Sequence, residues 1–128
     1  MLKKIYTSNA PEPIGPYSQA IRNNELIFLS GQIPINPKSN KIDSENISDQ
    51  THQVFKNIKE ILNAANTSFN KVIKTTIFLT DLDNFKIVNE IYSSYFNNDT
   101  PPARSTIEVS ALPMNSLIEI EMIVCNEE

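Results

Sequence analysis

The sequence predicts an α+β fold, with two helices packed on one face of a sheet of about six strands. Apolar residues recur at three and four between positions 48 and 66, and again between 83 and 95, as on one side of an amphipathic helix. Around these segments lie short runs rich in β-branched residues, some alternating with a period of two. The resulting order is β, β, β, α, β, α, β, β, with no repeat, linker or low-complexity stretch.

Each element has its own cause. Lys3 to Tyr6 reads as a short edge strand, and positions 10–18 as a loop, because Pro11, Pro13 and Pro16 exclude regular structure. Ala20 to Arg22 and Leu26 to Ser30 form a hairpin through Asn23-Asn24. Ile33 to Asn46, interrupted by Pro34 and Pro37, is a polar loop. Ser48 is the expected N-cap of the first helix, with Asp49 in its first turn and Asn66 at its end. Gln50, Val54, Ile58, Ile61, Leu62 and Ala65 make its inward stripe. Val72 to Leu79 is a strand. Asp83 is expected to cap the second helix, whose stripe is Phe85, Val88, Tyr92 and Tyr95 and which stops before Pro101-Pro102. Ala103 to Val109 and Leu117 to Val124 complete the sheet. In the last strand Ile118, Ile120, Met122 and Val124 share one face, and Leu117, Glu119, Glu121 and Ile123 the other.

Two helices cover one side of such a sheet, yet Leu117 and Ile123 put apolar groups on the other. A half-apolar face left in water predicts a homo-oligomer. The alternative is a twisted sheet covered by the 10–18 and 33–46 loops.

Composition narrows the function classes. The 128 residues make one domain, 1–128, with no room for a second core. Eleven Lys and Arg against fifteen Asp and Glu give a net charge of −4, so there is no general attraction for nucleic acid or anionic membranes. No apolar run approaches the roughly 20 residues that span a bilayer. The basic start lacks the apolar stretch of a secretory signal, and the lone Cys125 cannot form an internal disulfide. A cytoplasmic protein is expected.

Glycine is nearly absent, with 2 in the chain. Asparagine, the best non-glycine visitor to left-handed backbone, stands at the turns instead, at Asn23-Asn24, Asn40, Asn66 and Asn97-Asn98. Gly15 reads as a tight turn after Pro13. Gly31 reads either as a strand bulge or as a place where Ser30-Gly31 offers backbone N–H groups to a small ligand.

The chemical inventory is short. His52, the only histidine, sits beside the buried stripe of the first helix and reads as exposed and structural. No spacing suits a metal, and no phosphate or dinucleotide motif calls for a cofactor. Cys125 has no cationic partner in view and is not read as a nucleophile. Arg104 begins a strand of small and β-branched residues, and Glu119 lies within the most apolar one. An arginine fork suits a small organic acid, and a carboxylate near a cleft can hold a water. The competing reading leaves both on a solvated face, or paired with each other, Glu108 or Glu121.

Six motifs occur in order: Ile14-Gly15-Pro16-Tyr17-Ser18-Gln19-Ala20, Ser30-Gly31-Gln32-Ile33-Pro34, Val72-Ile73-Lys74-Thr75-Thr76, Asp83-Asn84-Phe85 with Val88-Asn89 and Tyr92, Pro102-Ala103-Arg104-Ser105, and Ile118-Glu119-Ile120-Glu121. Together they resemble the reactive intermediate deaminase family, also called the YjgF/YER057c/UK114 or L-PSP family, from about Ile5 to Val124. The resemblance implies a chorismate-mutase-like subunit with a mixed sheet, a barrel-like homotrimer, and active sites between subunits. It implies hydrolysis of 2-iminobutanoate or 2-iminopropanoate, products of pyridoxal-phosphate enzymes, to the 2-keto acid and ammonia. Arg104 matches the arginine that clamps the substrate carboxylate, and Glu119 the glutamate that holds the attacking water. Tyr17, Ser30, Gly31 and Asn89 match positions lining the cleft. Thr106 departs from many relatives, which have cysteine there. Some members are named for RNA cleavage or translation inhibition, a class the charge of −4 disfavours. A non-catalytic small-acid sensor or holdase is the third class.

Overall fold

The structure, a computed structural model, describes residues 1–126. Its six strands are β1 (Lys3–Ile5), β2 (Ala20–Arg22), β3 (Leu26–Gln32), β4 (Val72–Leu79), β5 (Ala103–Glu108) and β6 (Ile118–Cys125). They form one mixed sheet in the order β1-β2-β3-β6-β4-β5. Every neighbouring pair is antiparallel except β4 and β5. Parallel neighbours need a crossover, and α2 (Phe85–Tyr95) supplies it, while α1 (Ile47–Ala64) links β3 to β4.

The core lies between the helices and one sheet face. Val54, Phe55, Ile58, Ile61 and Leu62 of α1 and Val88 of α2 are buried with Ile27, Leu29, Ile77, Leu79, Ile118, Ile120 and Met122. Each such side chain contributes about 1.5–3 kcal/mol by leaving water.

The elements stand as expected, with corrections at their ends. Asn46, not Ser48, caps α1, its Oδ1 accepting from the Asp49 N–H at 3.0 Å. Ser48 already lies inside the first turn, too late to reach that donor. Asp81, not Asp83, caps the 3₁₀ turn Leu82–Asn84 that leads into α2, accepting from the Asp83 N–H. Leu117 precedes β6 rather than joining it, because its N–H is taken by Gln50 Oε1. Strand β3 runs on to Gln32 through a register shift between Leu29 and Gln32.

Asparagine replaces glycine in two distinct ways. Asn40 and Asn66 adopt left-handed backbone, with φ of 60° and 58°. At the β2–β3 turn, by contrast, Asn23 keeps ordinary φ and works through its side chain, whose Oδ1 accepts from the Glu25 and Leu26 N–H groups. Gly15, at φ 123°, is the expected tight turn.

The sheet face away from the helices is half apolar, and the chain covers it only around Glu119. Phe28 and Ile107 are exposed there, beside half-buried Ile123 and Phe78. The 33–46 loop does not cover it, since the Ile33 and Ile35 carbonyls accept from Asn57 on α1.

The 7–18 segment is held by one buried side chain. Gln19 Oε1 accepts from the Thr7 N–H at 2.8 Å, while its Nε2 donates to the carbonyls of Thr7 at 3.0 Å and Pro11 at 2.9 Å. Gln19→Leu leaves those backbone groups unpaired, so chemical denaturation is expected to show a loss of about 2–3 kcal/mol. A loss below about 0.5 kcal/mol would show that the loop holds itself.

Candidate active site

The residues singled out from the sequence fall into two groups. The first surrounds Glu119. Alternation along β6 buries Ile118 and Ile120 under the helices and turns Glu119 to the opposite face. Its carboxylate occupies the space above Gly31. A Cβ built on Gly31 would meet Glu119 Cδ at 2.8 Å and Cγ at 3.1 Å, and would run into Oε2. Gly31 does not have the left-handed φ of Gly15, so the missing side chain, not backbone freedom, is what this position requires. The bulge reading of Gly31 fits, since it lies in the irregular stretch of β3, while the group that approaches it is a side chain of the protein.

Tyr17, Ser30, Gly31 and Glu119 line one cleft of about 510 Å³, closed on its apolar side by Ile14, Ile33 and Met114. Tyr17 Oη accepts from the Ile14 N–H at 3.2 Å, which leaves its phenol proton free to donate. The Ser30 N–H is not available to a ligand, since it donates to the Gln19 carbonyl at 3.0 Å, and Ser30 Oγ donates to the Ser18 carbonyl at 2.6 Å. Burial pushes the Glu119 carboxyl above the usual range, and the like charge of Glu121 adds to the effect.

The second group surrounds Arg104. Strand register pairs Arg104 with Thr75, a fully buried residue on the helix-covered face. Its Nη1 donates to Asn89 Oδ1 at 2.8 Å, and its guanidinium carbon lies 4.7 Å from the Tyr92 ring centre and 5.5 Å from that of Phe85. Thr106, two residues on, has a buried hydroxyl oxygen without a partner.

Within one chain, then, Arg104 and Glu119 project from opposite faces of the sheet, two strands apart in its order. The salt bridge considered between them does not form, nor does either pair with Glu108, whose carboxylate accepts from the Leu82 N–H. His52 is exposed, 3.4 Å from the Tyr95 hydroxyl, and no cluster of three metal-ligating side chains occurs among the described residues.

Sequence reasoning gives no site role to Gln19, Phe85, Tyr92 or Met114. Gln19 looked like part of a loop motif. Phe85 and Tyr92 fitted a core stripe so well that their contact with Arg104 went unseen. Met114, at the cleft rim, and the next residue, Asn115, both adopt left-handed backbone, φ 56° and 54°. Nothing in Pro113-Met114-Asn115 announces a methionine there, because that conformation is costly for a long side chain.

Gly31→Ala forces the Glu119 carboxylate from its place. Turnover is expected to fall at least about tenfold while the melting temperature changes little, since the displaced group is the far end of a side chain. Wild-type turnover in that variant would show that the position of the carboxylate is immaterial.

The chain is similar to known proteins along nearly its whole length. The family model described as Endoribonuclease L-PSP matches residues 7–126. A RutC family protein of Pyrococcus horikoshii is 52% identical, over 99% of this chain and 100% of its own. The chloroplastic Reactive Intermediate Deaminase A of Arabidopsis thaliana is 53% identical, over 93% of this chain and 63% of its own. Among solved structures, a protein of unknown function of the Rid family from Yersinia pestis superposes with a TM-score of 0.95 at 50% identity, covering 98% of this chain and 99% of its own. The YjgF gene product of E. coli does so with 0.92 at 42%, covering 98% and 99%.

Proposed function

The chain belongs to the RidA/YjgF/L-PSP family, and on that premise we propose that it hydrolyses 2-iminobutanoate and 2-iminopropanoate to the 2-keto acid and ammonia. The observation that carries this reading is the half-buried Glu119 carboxylate, held over Gly31 in a cleft next to the Tyr17 phenol. A carboxylate with a raised pKa is a competent base for a water molecule near neutral pH.

The substrate carboxylate is held by the Arg104 fork, which fixes the C=N carbon relative to the water. Glu119 takes a proton as that water adds to C2 and passes it to the imine nitrogen, which gives a carbinolamine. The carbinolamine hydroxyl proton then follows the same route to nitrogen, the C–N bond breaks, and ammonia leaves as C2 becomes a ketone. One water is consumed and no electron changes hands. Imines hydrolyse unaided, so orientation and one base suffice, without a metal or covalent nucleophile.

Arg104 and Glu119 lie on opposite faces of one sheet, so a pocket holding both is built from two copies of the chain. We place that pocket in a homotrimer formed through the apolar face around Phe28, Ile107 and Ile123. Tyr17, Ser30, Gly31 and Glu119 come from one copy, and Arg104 and Asn89 from its neighbour. A cytoplasmic setting suits the lone Cys125, and among the described residues no helix is long and apolar enough to cross a membrane.

The test is keto acid release from freshly generated 2-iminobutanoate, run beside a ribonuclease assay on the same preparation. Light scattering on that sample is expected to give a mass near three chains. Ribonuclease activity without imine hydrolysis would transfer the reading to RNA cleavage, and a monomer with full activity would dissolve the shared pocket.

A further inference from the structure

Phe85, Asn89 and Tyr92 stand at i, i+4 and i+7 on α2, and so share one helix face. All three meet a single group, the Arg104 guanidinium. From this convergence we propose that Phe85 and Tyr92 are positioning residues: an aromatic cradle that holds Arg104 as a receiver for a small carboxylate. The proposal rests on the deaminase reading for the identity of the carboxylate, a 2-imino or 2-keto acid.

A guanidinium carries five N–H donors in a plane. Asn89 engages one of them, and among the described residues no carboxylate pairs with Arg104. The two rings lie within about 6 Å, the range in which a ring face attracts a cation. They restrain the side chain without using its N–H groups, so part of the fork stays open to an anion. An acidic partner would do the opposite, neutralising the charge and occupying the donors.

The cradle is itself anchored. Tyr92 is buried, and its hydroxyl lies 2.8 Å from Thr75 Oγ1, which is fully buried on the strand beside Arg104. Phe85 is different. It is the first residue of α2 and 37% exposed, so its ring contributes little to the core. Its exposure makes it the position where the arginine contact can be removed without opening a cavity.

Phe85→Leu keeps apolar bulk and removes the ring face. Expected is a rise of about tenfold in KM for 2-iminobutanoate with a much smaller change in kcat, the pattern of lost ground-state binding. The dissociation constant for 2-ketobutyrate, measured by titration calorimetry, should rise in step, and Phe85→Trp should restore both. A Leu variant with wild-type KM and affinity overturns the cradle, as does a Trp variant as impaired as Leu. If the wild type binds 2-ketobutyrate but releases none from the imine, and Leu weakens that binding, the deaminase reading falls and the cradle stands. If the wild type neither binds the keto acid nor turns over the imine, both fall.

Discussion

Arg104→Ala is expected to lower kcat/KM for 2-iminobutanoate by at least about a hundredfold, corresponding to roughly 3 kcal/mol for a bidentate, charge-assisted pair in a partly dry cleft. Its stability should change little. Arg104 is half-exposed on the edge strand β5, and its partners Tyr92 and Thr75 keep their own hydrogen bond when it is gone. Activity and melting temperature measured on one sample separate the two effects. Arg104→Lys should recover little of the loss, because a point charge cannot reproduce the planar fork. An Ala variant with wild-type turnover would remove the carboxylate clamp, and with it the reason for a second copy in the pocket.

Glu119→Gln is expected to cut kcat by at least about a hundredfold while the affinity for 2-ketobutyrate stays within about threefold. The amide keeps the shape over Gly31 but cannot accept a proton from water. In the wild type the base must be ionised, so the acid limb of the kcat profile should lie above the ordinary glutamate value of about 4.3. Its causes are burial first and Glu121 second, so Glu121→Gln should move the limb toward lower pH without removing activity. Stability moves in the reverse sense. With the native pKa raised, the native state binds its proton more tightly than the unfolded chain, and that advantage is lost as pH rises through the native value. Glu119→Gln should therefore stabilise the protein relative to wild type more at pH 7 than at pH 4. If the difference is the same at both, the carboxyl is not perturbed, and its candidacy as the base weakens.

The fold was legible wherever burial sets the pattern. Ile118, Ile120, Met122 and Val124 alternate because β6 has one covered face, and Val54, Ile58 and Ile61 recur because α1 has one covered side. Each cap lies two residues before the expected one because several Asn, Asp and Ser residues crowd each helix start, and only geometry selects the one that reaches an open N–H. The opposite placement of Arg104 and Glu119 is written in strand parity, but it needs the parallel β4–β5 register, which the sequence does not display. Phe85 and Tyr92 were hidden by their hydrophobicity. An aromatic ring at helical spacing reads as core whether its face meets a leucine or a guanidinium.

The left-handed asparagines have a bearing on how long the folded molecule lasts. An asparagine amide is open to attack by the next backbone nitrogen, closing a succinimide that reopens as aspartate or isoaspartate. The reaction is fastest when glycine follows, since a side chain there obstructs ring closure. Asn40 precedes Lys41, Asn66 precedes Thr67 and Asn115 precedes Ser116, and no asparagine in the chain precedes Gly15 or Gly31. Scarcity of glycine thus confines the turns to a residue with a chemical clock, and the same scarcity makes that clock run slowly.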